Sequence, residues 1–273
     1  MTNKPFLKWA GGKFRLLPQL IPIIGYPTQF IEPFSGAASV SLNIVDCPVI
    51  VVNDANTDLI QTYQYLISEG NDFIDYCEAY FIDGNDDVVF YRNRELFNET
   101  VDKREKSALF VYLNKHSFNG LTRYNKQGKY NVPFGKYKSV TFPRTEMIKF
   151  KDVMREKNQL YMHSLDFCEM KLYKNINENT VVYFDPPYIP LSETSSFTDY
   201  HTEGFTDADQ IRLVELAKYL KSQGAKVIIS NHDVERAREL YCDARKIIEV
   251  DVTRSVGASS ESRGKVKELI AIY

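Results

Sequence analysis

The stretch that most constrains the fold runs from Val181 to Tyr188, where an apolar segment is followed by an acid, two prolines and a ring. Residues 181–184 have strong strand propensity. Two consecutive prolines cannot continue a sheet because neither has an N–H to donate, and each holds the preceding residue extended. Asp185 is therefore predicted at the carboxyl end of a strand, which is where open α/β sheets bind ligands.

These residue types suit the transfer of a methyl group to an amine conjugated with a ring. Such an amine is a poor nucleophile because its lone pair is delocalised, and two acceptors on its N–H bonds would free that pair. Asp185 offers one acceptor and the Pro186 carbonyl the other, while Tyr188 offers a stacking face worth roughly 1–3 kcal/mol. The alternative is an Asp-Pro turn after a strand, with a packed tyrosine.

Composition limits the class of partner and compartment. The 273 residues could form one large domain or two modest ones, and a net charge of −2 means that any case for nucleic-acid binding must be local. Four scattered cysteines without a CxxC pair favour a reducing compartment and argue against structural zinc. The N-terminus has no signal-like apolar core, and no apolar run reaches membrane length, so we expect a soluble intracellular protein.

A cofactor-binding βα unit is predicted near the N-terminus. A strand at 29–34 leads into a small-residue turn at 35–39 and then an apolar helical pattern through Val45, although the turn has one glycine rather than three. The next strand ends at Asp54, about twenty residues after the turn, where a carboxylate can reach ribose hydroxyls. Asp54 can also cap a helix that begins at Ala55, and the two roles are compatible.

The segment 6–13 places a glycine pair beside Trp9 and between Lys8 and Lys13. It is not a phosphate-binding P-loop, which needs four residues between its glycines and a Lys followed by Ser or Thr. A ligand-contacting segment and a flexible N-terminal arm are both consistent with it.

Residues 55–113 carry helical periodicity with no strand between, which predicts an inserted helical domain rather than more parallel sheet. The segment 114–138 then contains six Lys or Arg residues and five aromatic rings but no Asp or Glu, and its glycines indicate loops and a hairpin. Positive charge neutralises phosphates, and rings stack on bases or wedge between them. We therefore predict nucleic-acid contact here; the alternative is a solvated basic loop.

An acid and a ring follow the strand predicted at 159–163. Asp166 and Phe167 could hold an adenine moiety, the carboxylate on its amino group and the ring on its face. They could equally be a cap and a core residue.

A polar segment at 191–205 is predicted to form a lid or a DNA-facing loop beside the reactive site. The capping-box pattern at Thr206 and Asp209 predicts a helix that stops at Gly224.

A core strand predicted at 227–229 leads to His232 and Asp233. We interpret Asp233 as an ordinary helix cap rather than part of a metal site, because no third ligand has metal-type spacing. Two closing strands are predicted at 245–254 and 265–272, with a Ser/Gly loop between them.

Together, the βα unit, the acid-free aromatic segment and the Asp-Pro-Pro-Tyr run resemble DNA adenine methyltransferases of the Dam type, over essentially the whole chain. The most specific segments are 6–13, 30–39, 53–54, 114–137, 183–191, 197–205 and 230–233. Segments 115–121 and 130–135 are especially similar to that family's target-recognition hairpin.

This resemblance implies S-adenosylmethionine as cofactor, S-adenosylhomocysteine as product, and no metal. The implied cofactor-binding residues are Trp9, Ala10, Lys13, Phe34, Ser35, Gly36, Asp54, Asp166, Phe167 and Asp185. The implied catalytic residues, which form the pocket for a flipped adenine, are Asp185, Pro186, Pro187 and Tyr188. Asp185 would act as an acceptor that polarises the amine, not as a strong general base.

The resemblance also implies double-stranded DNA as the partner, with GATC as the usual site. The implied DNA-binding residues are Lys8, Arg94, Phe118, Asn119, Leu121, Arg123, Asn125, Asn131, Pro133, Tyr137 and Lys138. Among them, Lys8, Leu121, Arg123 and Pro133 would read bases, and Phe118 would wedge into the stack. Two departures stand out: Ala38 replaces a second glycine of the cofactor loop, and Phe118 replaces the more usual tyrosine.

The implied fold is an α/β, Rossmann-like methyltransferase core with a mostly parallel seven-stranded sheet and one antiparallel strand in a C-terminal hairpin. Residues 1–54 and 144–273 would form this catalytic domain. Residues 55–143 would form the helical target-recognition domain, with its hairpin at about 118–138. The protein would act in the cytoplasm, at a bacterial nucleoid or as a phage enzyme, with no membrane association and no obligate protein partner.

Two alternatives remain open at this point. The first is a methyltransferase that acts on RNA or on a protein amide, since related proline-rich motifs serve both substrates. The second is a DNA-binding regulator whose methyltransferase site is inactive. Methyl-transfer assays on DNA separate both alternatives from the first hypothesis.

Overall fold

The computed structural model describes residues 2–191, 204–253 and 265–273, and its centre is a seven-stranded sheet. The strands are β1 (Gln29–Glu32), β2 (Val49–Asn53), β3 (Gln159–His163), β4 (Thr180–Phe184), β5 (Lys226–His232), β6 (Lys246–Thr253) and β7 (Lys265–Ile272). Their order is β3-β2-β1-β4-β5-β7-β6, and β7 runs antiparallel to both of its neighbours. The other pairings are parallel, which confirms the predicted sheet and its antiparallel C-terminal strand.

The helices cover the sheet and fill the long connection between β2 and β3. They are α1 (Leu17–Ile24), α2 (Thr57–Glu69), α3 (Asn71–Ala79), α4 (Asp87–Glu99), α5 (Lys103–His116), α6 (Arg144–Arg155), α7 (Asp207–Ser222) and α8 (Glu235–Leu240). A capping box between Thr206 and Asp209 starts α7, as the sequence predicted. Within the described ranges, no helix is both long and apolar enough to cross a membrane.

Strand β4 positions the reactive segment. All five of its residues are buried, and it lies between β1 and β5, so that its end is at the middle of the sheet. The chain order reverses between β1 and β4, and in doubly wound sheets the crevice at such a reversal is where ligands bind. Pro186 and Pro187 end the strand because they cannot extend its hydrogen bonding, and Asp185 therefore lies at this crevice.

The helices between β2 and β3 share the main hydrophobic core with the sheet. The ring of Tyr63 in α2 stacks on Phe150 of α6 at 4.8 Å, and Phe6 of the N-terminal segment packs edge-on against both. Residues 55–113 contain no strand, as predicted. The division into domains at 54 and 144 stays a prediction.

Three local predictions differ from the structure. The apolar pattern after Gly36 forms tight turns and a short 3₁₀ helix, Ser41–Asn43, rather than a regular helix. The hairpin at 118–138 is held by two isolated bridges, Ser117 to Phe134 and Tyr124 to Tyr130, rather than by strands.

The third difference concerns Asp233, which does not cap α8. The N-cap residue of that helix is Val234, without a side-chain cap, and Asp233 instead forms an ion pair with Arg238 at 2.6 Å. Most of the predicted lid at 191–205 and the Ser/Gly loop before β7 lie outside the described residues.

Candidate functional site

Asp185 lies at the end of β4 in an ion pair with Lys13. The Lys13 Nζ is 2.9 Å from Asp185 Oδ1, and the two side chains are only 8% and 15% exposed. The same ammonium donates to the Gly11 carbonyl at 2.7 Å. Burial raises the pKa of Asp185, and the positive charge of Lys13 acts in the opposite direction. Asp185 is thus a poorly solvated acceptor whose charge is balanced by one neighbouring cation.

The two prolines after Asp185 present their carbonyls differently. The Pro187 carbonyl accepts a hydrogen bond from Gln210 Nε2 at 2.9 Å. The Ile189 N–H donates to Asn231 Oδ1 at 2.9 Å. No hydrogen bond reaches the Pro186 carbonyl from any residue that the structure describes. The loop is therefore held in place while one backbone acceptor remains beside the Asp185 carboxylate.

Tyr188 is the last of the four predicted catalytic residues. Its hydroxyl donates to Glu268 Oε2 at 3.0 Å, and its ring packs edge-on against His232 with centroids 4.8 Å apart. The Lys13 ammonium lies 4.6 Å from the ring centroid. An N–H donor therefore already lies between the Asp185 carboxylate and an aromatic face. A planar amine could make the same two contacts.

The reactive residues border a cavity of about 1000 Å³ at the carboxyl ends of the central strands. All four predicted catalytic residues and all ten predicted cofactor-binding residues line it. The geometry thus brings these two predicted groups together, and the individual roles remain predictions. Within the described ranges, no group of three His, Cys, Asp or Glu side chains could hold a metal ion.

Gly36 and Trp9 pack closely in the wall of this cavity. The Gly36 N–H donates to Asp54 Oδ2 at 2.9 Å, and the Gly36 carbonyl accepts from the Tyr63 hydroxyl at 2.7 Å. A Cβ atom at Gly36 would lie 2.5 Å from the Trp9 ring, and the residue has a φ of +46°. Glycine is therefore needed here both for the left-handed backbone and for the indole.

Asp54 organises the turn between β2 and α2. Its Oδ1 accepts from the Asn56 N–H at 2.9 Å, and Asn56 is the residue that caps α2. The predicted capping role therefore belongs to Asn56, two residues later than expected. Burial raises the pKa of Asp54, while the hydrogen bonds from Asn56 and Gly36 lower it.

Ala38 occupies the position where the resemblance implies a second glycine. It is fully buried and has a φ of +53°, a conformation that costs a non-glycine residue roughly 1–2 kcal/mol. Burial of its methyl group offsets about 0.8 kcal/mol of that cost. The net cost is then roughly 0.2–1.2 kcal/mol, which is small enough for alanine to be accepted here.

Two polar groups in the cavity wall are Ser35, which the resemblance implied, and Glu32, which was not singled out from the sequence. Ser35 Oγ is buried and has no hydrogen-bond partner among the described residues. Glu32, the last residue of β1, accepts from the Ser41 N–H at 3.0 Å and from the Ser41 hydroxyl. Burial raises the pKa of Glu32 to about 8 even though the hydrogen bonds from Ser41 lower it. Both lie in the βα unit that the sequence identified, but neither has a distinctive spacing.

Asp166 and Phe167 also line this cavity. The Phe167 ring packs against Phe34 with centroids 5.2 Å apart, and both line the cavity. Asp166 Oδ1 accepts from Arg212 at 2.9 Å, and the Arg212 guanidinium lies over the Phe167 ring at 5.0 Å. An aromatic wall with a carboxylate at its edge is suited to a flat, polar ring.

The acid-free segment forms a compact loop region after α5. Phe118 is 49% exposed, and Asn119 beside it has a φ of +54°. The loop is supported from below, since the buried Tyr130 hydroxyl lies 2.9 Å from Ser117 Oγ and donates to the Leu121 carbonyl at 2.8 Å. A rigid base therefore presents an unburied ring to solvent.

Lys8 and Tyr137 join the N-terminal segment to this loop region. The backbone of Lys8 exchanges two hydrogen bonds with the Asn114 side chain, at 2.8 and 2.7 Å. The Lys8 ammonium lies 4.3 Å from the Tyr137 ring centroid, and the Tyr137 hydroxyl donates to the Ser117 carbonyl at 3.0 Å. The structure thus brings Lys8 next to the segment 114–138, far from it in sequence.

The remaining predicted DNA-binding residues differ in whether they already make contacts within the protein. Arg123 Nε donates to Asn131 Oδ1 at 2.7 Å, which fixes the direction of the guanidinium. Arg94 donates to the Val132 carbonyl at 3.1 Å, and Asn125 accepts from two amides of its own turn, so both already have structural roles. Pro133 and Lys138 are exposed, whereas Leu121 is partly buried against the core.

The buried His116 side chain should lower the stability of the folded chain in acid. This last residue of α5 is buried, stacks on Tyr112, and has Nδ1 2.8 Å from the Tyr112 carbonyl. Burial lowers its pKa from 6.5 to about 4, so that the unfolded chain takes up a proton that the folded chain refuses. The contribution of His116 to stability should therefore fall by about 3 kcal/mol as the pH drops from 7 to 4. The raised pKa of Glu32 acts in the opposite direction over the same range, because the folded chain holds that proton more tightly than the unfolded chain. Urea unfolding of the parent protein and of His116→Gln at each pH isolates the histidine, since the parent should lose about 3 kcal/mol relative to the variant; an identical pH dependence would contradict the assignment.

Comparison with known proteins agrees with the chemistry that the geometry of the site suggests. Residues 9–256 match the family described as D12 class N6 adenine-specific DNA methyltransferase. The chain is 40% identical over 274 residues to the DNA adenine methylase of Escherichia coli strain K12, covering 99% of this chain and 95% of that protein. It is 38% identical over 279 residues to the DNA adenine methylase of Haemophilus influenzae, covering 100% and 94%. It is also 38% identical over 275 residues to that of Vibrio cholerae, covering 99% and 96%.

Proposed function

Because the chain belongs to the D12 class of N6 adenine-specific DNA methyltransferases, we propose that it methylates adenine within GATC sites of duplex DNA, with S-adenosylmethionine as the methyl donor. The GATC assignment rests on the resemblance of its loop region and base-reading residues to the Dam type. The enzyme acts in the cytoplasm and needs no protein partner.

The observation that carries this proposal is the pair of acceptors at the end of β4. The Asp185 carboxylate and the Pro186 carbonyl, to which no described residue donates, can each take one N–H of the target amine. Tyr188 supplies the face for the ring of the base. These residues share a cavity with the rings of Phe34 and Phe167. That cavity offers space for a second, flat ligand beside the target base.

The cavity wall fits the proposed cofactor. S-adenosylmethionine supplies a methyl group on a positively charged sulfur, which an amine can attack. The unpartnered Ser35 hydroxyl and the Asp54 carboxylate are placed to bind its polar groups, and Phe34 and Phe167 offer faces for its adenine ring. Trp9 would contribute the opposite side of the cavity.

Lys13 occupies the position that the target amine would take. Its ammonium contacts both the Asp185 carboxylate and the Tyr188 face, so it must withdraw when a base enters. Asp185 then holds the amine and draws its N–H proton, which frees the nitrogen lone pair, and the proton leaves during or after transfer. Positioning of this kind is worth several kcal/mol of barrier.

A base reaches this pocket only by leaving the duplex, which costs a few kcal/mol of stacking and pairing. Phe118 is exposed at the loop region and can fill the gap that the base leaves. Replacement of the usual tyrosine by Phe118 keeps the ring and removes one hydroxyl.

Methyl transfer from labelled S-adenosylmethionine tests the proposal directly. The substrates are a duplex with one GATC site and duplexes with one base of that site changed. We expect label on the adenine of GATC and at least tenfold less on each variant. Binding of GATC duplexes without any label would instead indicate a regulator with an inactive site.

Arg123→Ala is expected to relax specificity at one base position. The guanidinium is held by Asn131, which prepares it to pair with a base edge, and losing such a pair costs about 1–3 kcal/mol of discrimination. The measurement is the ratio of kcat/KM for GATC and its one-base variants. Lys126→Ala, an exposed cation of the same loop, should weaken all duplexes alike and leave the ratios unchanged. Equal ratios for both variants would remove Arg123 from base reading.

A further inference from the structure

Glu268 enters the site from the strand farthest from it in sequence. In the antiparallel pairing of β5 and β7, Glu268 lies opposite His232, and both side chains line the cavity. The Glu268 carboxylate accepts a hydrogen bond from the Tyr188 hydroxyl, with the two oxygens 3.0 Å apart. An acidic residue of the C-terminal hairpin thus contacts the aromatic ring of the reactive loop.

Among the described residues, the Tyr188 ring contacts His232 and Glu268 as well as the Lys13 ammonium. His232 packs its ring against Tyr188 at an interplanar angle of 79°, and His232 Nδ1 lies 2.7 Å from the Ile189 carbonyl. This edge-on contact limits rotation of the Tyr188 ring about its Cβ–Cγ bond. The hydroxyl oxygen lies on the axis of that bond, so its hydrogen bond to Glu268 instead holds the far end of the ring and limits its swing about the Cα–Cβ bond.

We propose that Glu268 is a positioning residue that holds the Tyr188 ring at the place where the target base stacks. This inference rests on the proposed function, since it assigns Glu268 a part in binding the flipped adenine. Glu268 acts only through Tyr188 and does not touch the reacting atoms. A partly buried hydroxyl without its acceptor would turn the ring toward another partner, because an unmade hydrogen bond costs free energy.

The test compares three single variants and one double variant. Glu268→Ala removes the acceptor, Glu268→Gln keeps an acceptor oxygen without the charge, and Tyr188→Phe removes the hydroxyl alone. The fourth variant combines Glu268→Ala with Tyr188→Phe. Each is measured for kcat and KM with GATC duplexes, and for emission of duplexes that carry 2-aminopurine at the target position, which reports the stacking of the extruded base.

Glu268→Ala is expected to lower kcat about tenfold, to change KM for DNA less than twofold, and to increase 2-aminopurine emission because stacking on Tyr188 is lost. Glu268→Gln should recover kcat to within about threefold of the parent enzyme, with normal emission. Tyr188→Phe should resemble Glu268→Ala. The double variant should be no worse than either single variant, because both remove one hydrogen bond.

Three results would overturn the inference. Glu268→Gln as impaired as Glu268→Ala would show that the charge matters rather than the position of the ring. A further loss when Glu268→Ala is added to Tyr188→Phe would show that Glu268 acts elsewhere. Parent-like kcat and emission in Glu268→Ala would show that the ring needs no such support. If the parent enzyme neither labels GATC duplexes nor changes 2-aminopurine emission, it is the proposed function that fails.

Discussion

Replacing Asp185 with alanine is expected to lower methyl transfer at least 10²–10³-fold while duplex binding stays within about threefold of the parent value. Removal of one pre-positioned group at a reacting centre typically has an effect of this size on turnover. Binding should survive because Asp185 is not among the residues that resemble DNA contacts, most of which lie on the loop region after α5. Turnover with labelled cofactor and fluorescence anisotropy of a labelled duplex measure the two effects.

The same substitution leaves the Lys13 ammonium, which is 8% exposed, without its anionic partner. Loss of one member of a buried ion pair is destabilising, so Asp185→Asn serves as a second variant, whose amide oxygen still accepts a hydrogen bond from the Lys13 ammonium although it carries no charge. It should be destabilised less than Asp185→Ala and still lose most turnover, because a neutral amide is a weaker acceptor. Asp243→Ala, which removes an exposed carboxylate paired with Lys218, is the matched control and should keep full activity. More than a tenth of parent turnover in both Asp185 variants would refute the acceptor role.

Gly36→Ala is expected to weaken cofactor binding at least tenfold. The added Cβ would lie 2.5 Å from Trp9 Cδ1 and 2.7 Å from Trp9 Nε1, closer than any tolerated contact. The backbone of Gly36 cannot move away, because Asp54 and Tyr63 hold its N–H and its carbonyl. The indole must therefore move, and it lines the cavity in which we propose that the cofactor binds. Calorimetric titration with S-adenosylhomocysteine measures the affinity without requiring turnover.

Gly11→Ala is the matched control for this substitution. Gly11 has a φ of +73°, so alanine there has a comparable left-handed strain, of roughly 1–2 kcal/mol, but no described atom lies within 4 Å of the added Cβ. Both variants should lose stability in urea unfolding, Gly36→Ala by the larger amount because Trp9 must also move, and only Gly36→Ala should lose affinity. Equal affinities in the two variants would show that Trp9 does not shape the cofactor site.

Several site residues were predictable because their cause is local. Proline chemistry ends β4 at Phe184 whatever surrounds it, so the location of Asp185 follows from four consecutive residues. The capping box at Thr206 and Asp209 is local in the same way, and the structure confirms it.

Other predictions failed where distant contacts overrode a local pattern. The apolar residues after Gly36 have helical spacing, but Asn43 is tied to the Asn3 carbonyl and Asn3 in turn to Asn43 Oδ1, which holds this segment against the N-terminal strand-like arm. Ala38 also adopts a left-handed backbone, which interrupts a helix. Asp233 was predicted as a cap, but Arg238 of the same helix forms an ion pair with it instead. Local propensity is a weak prior once such contacts exist.

The residues that support the reactive loop could not be found from sequence. Glu268 reaches Tyr188 across 80 positions of chain, through the pairing register of β5 and β7, and Gln210 reaches the Pro187 carbonyl from α7. A glutamate in a closing strand and a glutamine in an amphipathic helix have no distinctive spacing. Only the register of the sheet and the packing of the helix bring them to the loop.

By itself, then, the order of residues determined the type of sheet, the end of its central strand and the chemical class of the reaction, because proline geometry, strand propensity and acceptor chemistry operate over a few neighbouring residues. Only the tertiary structure decided that Lys13 lies against Asp185 and that no described residue donates to the Pro186 carbonyl. It also decided that Glu268 accepts a hydrogen bond from the Tyr188 hydroxyl. These are contacts between distant segments, and their geometry is set by how strands and helices pack, which short-range preferences do not encode.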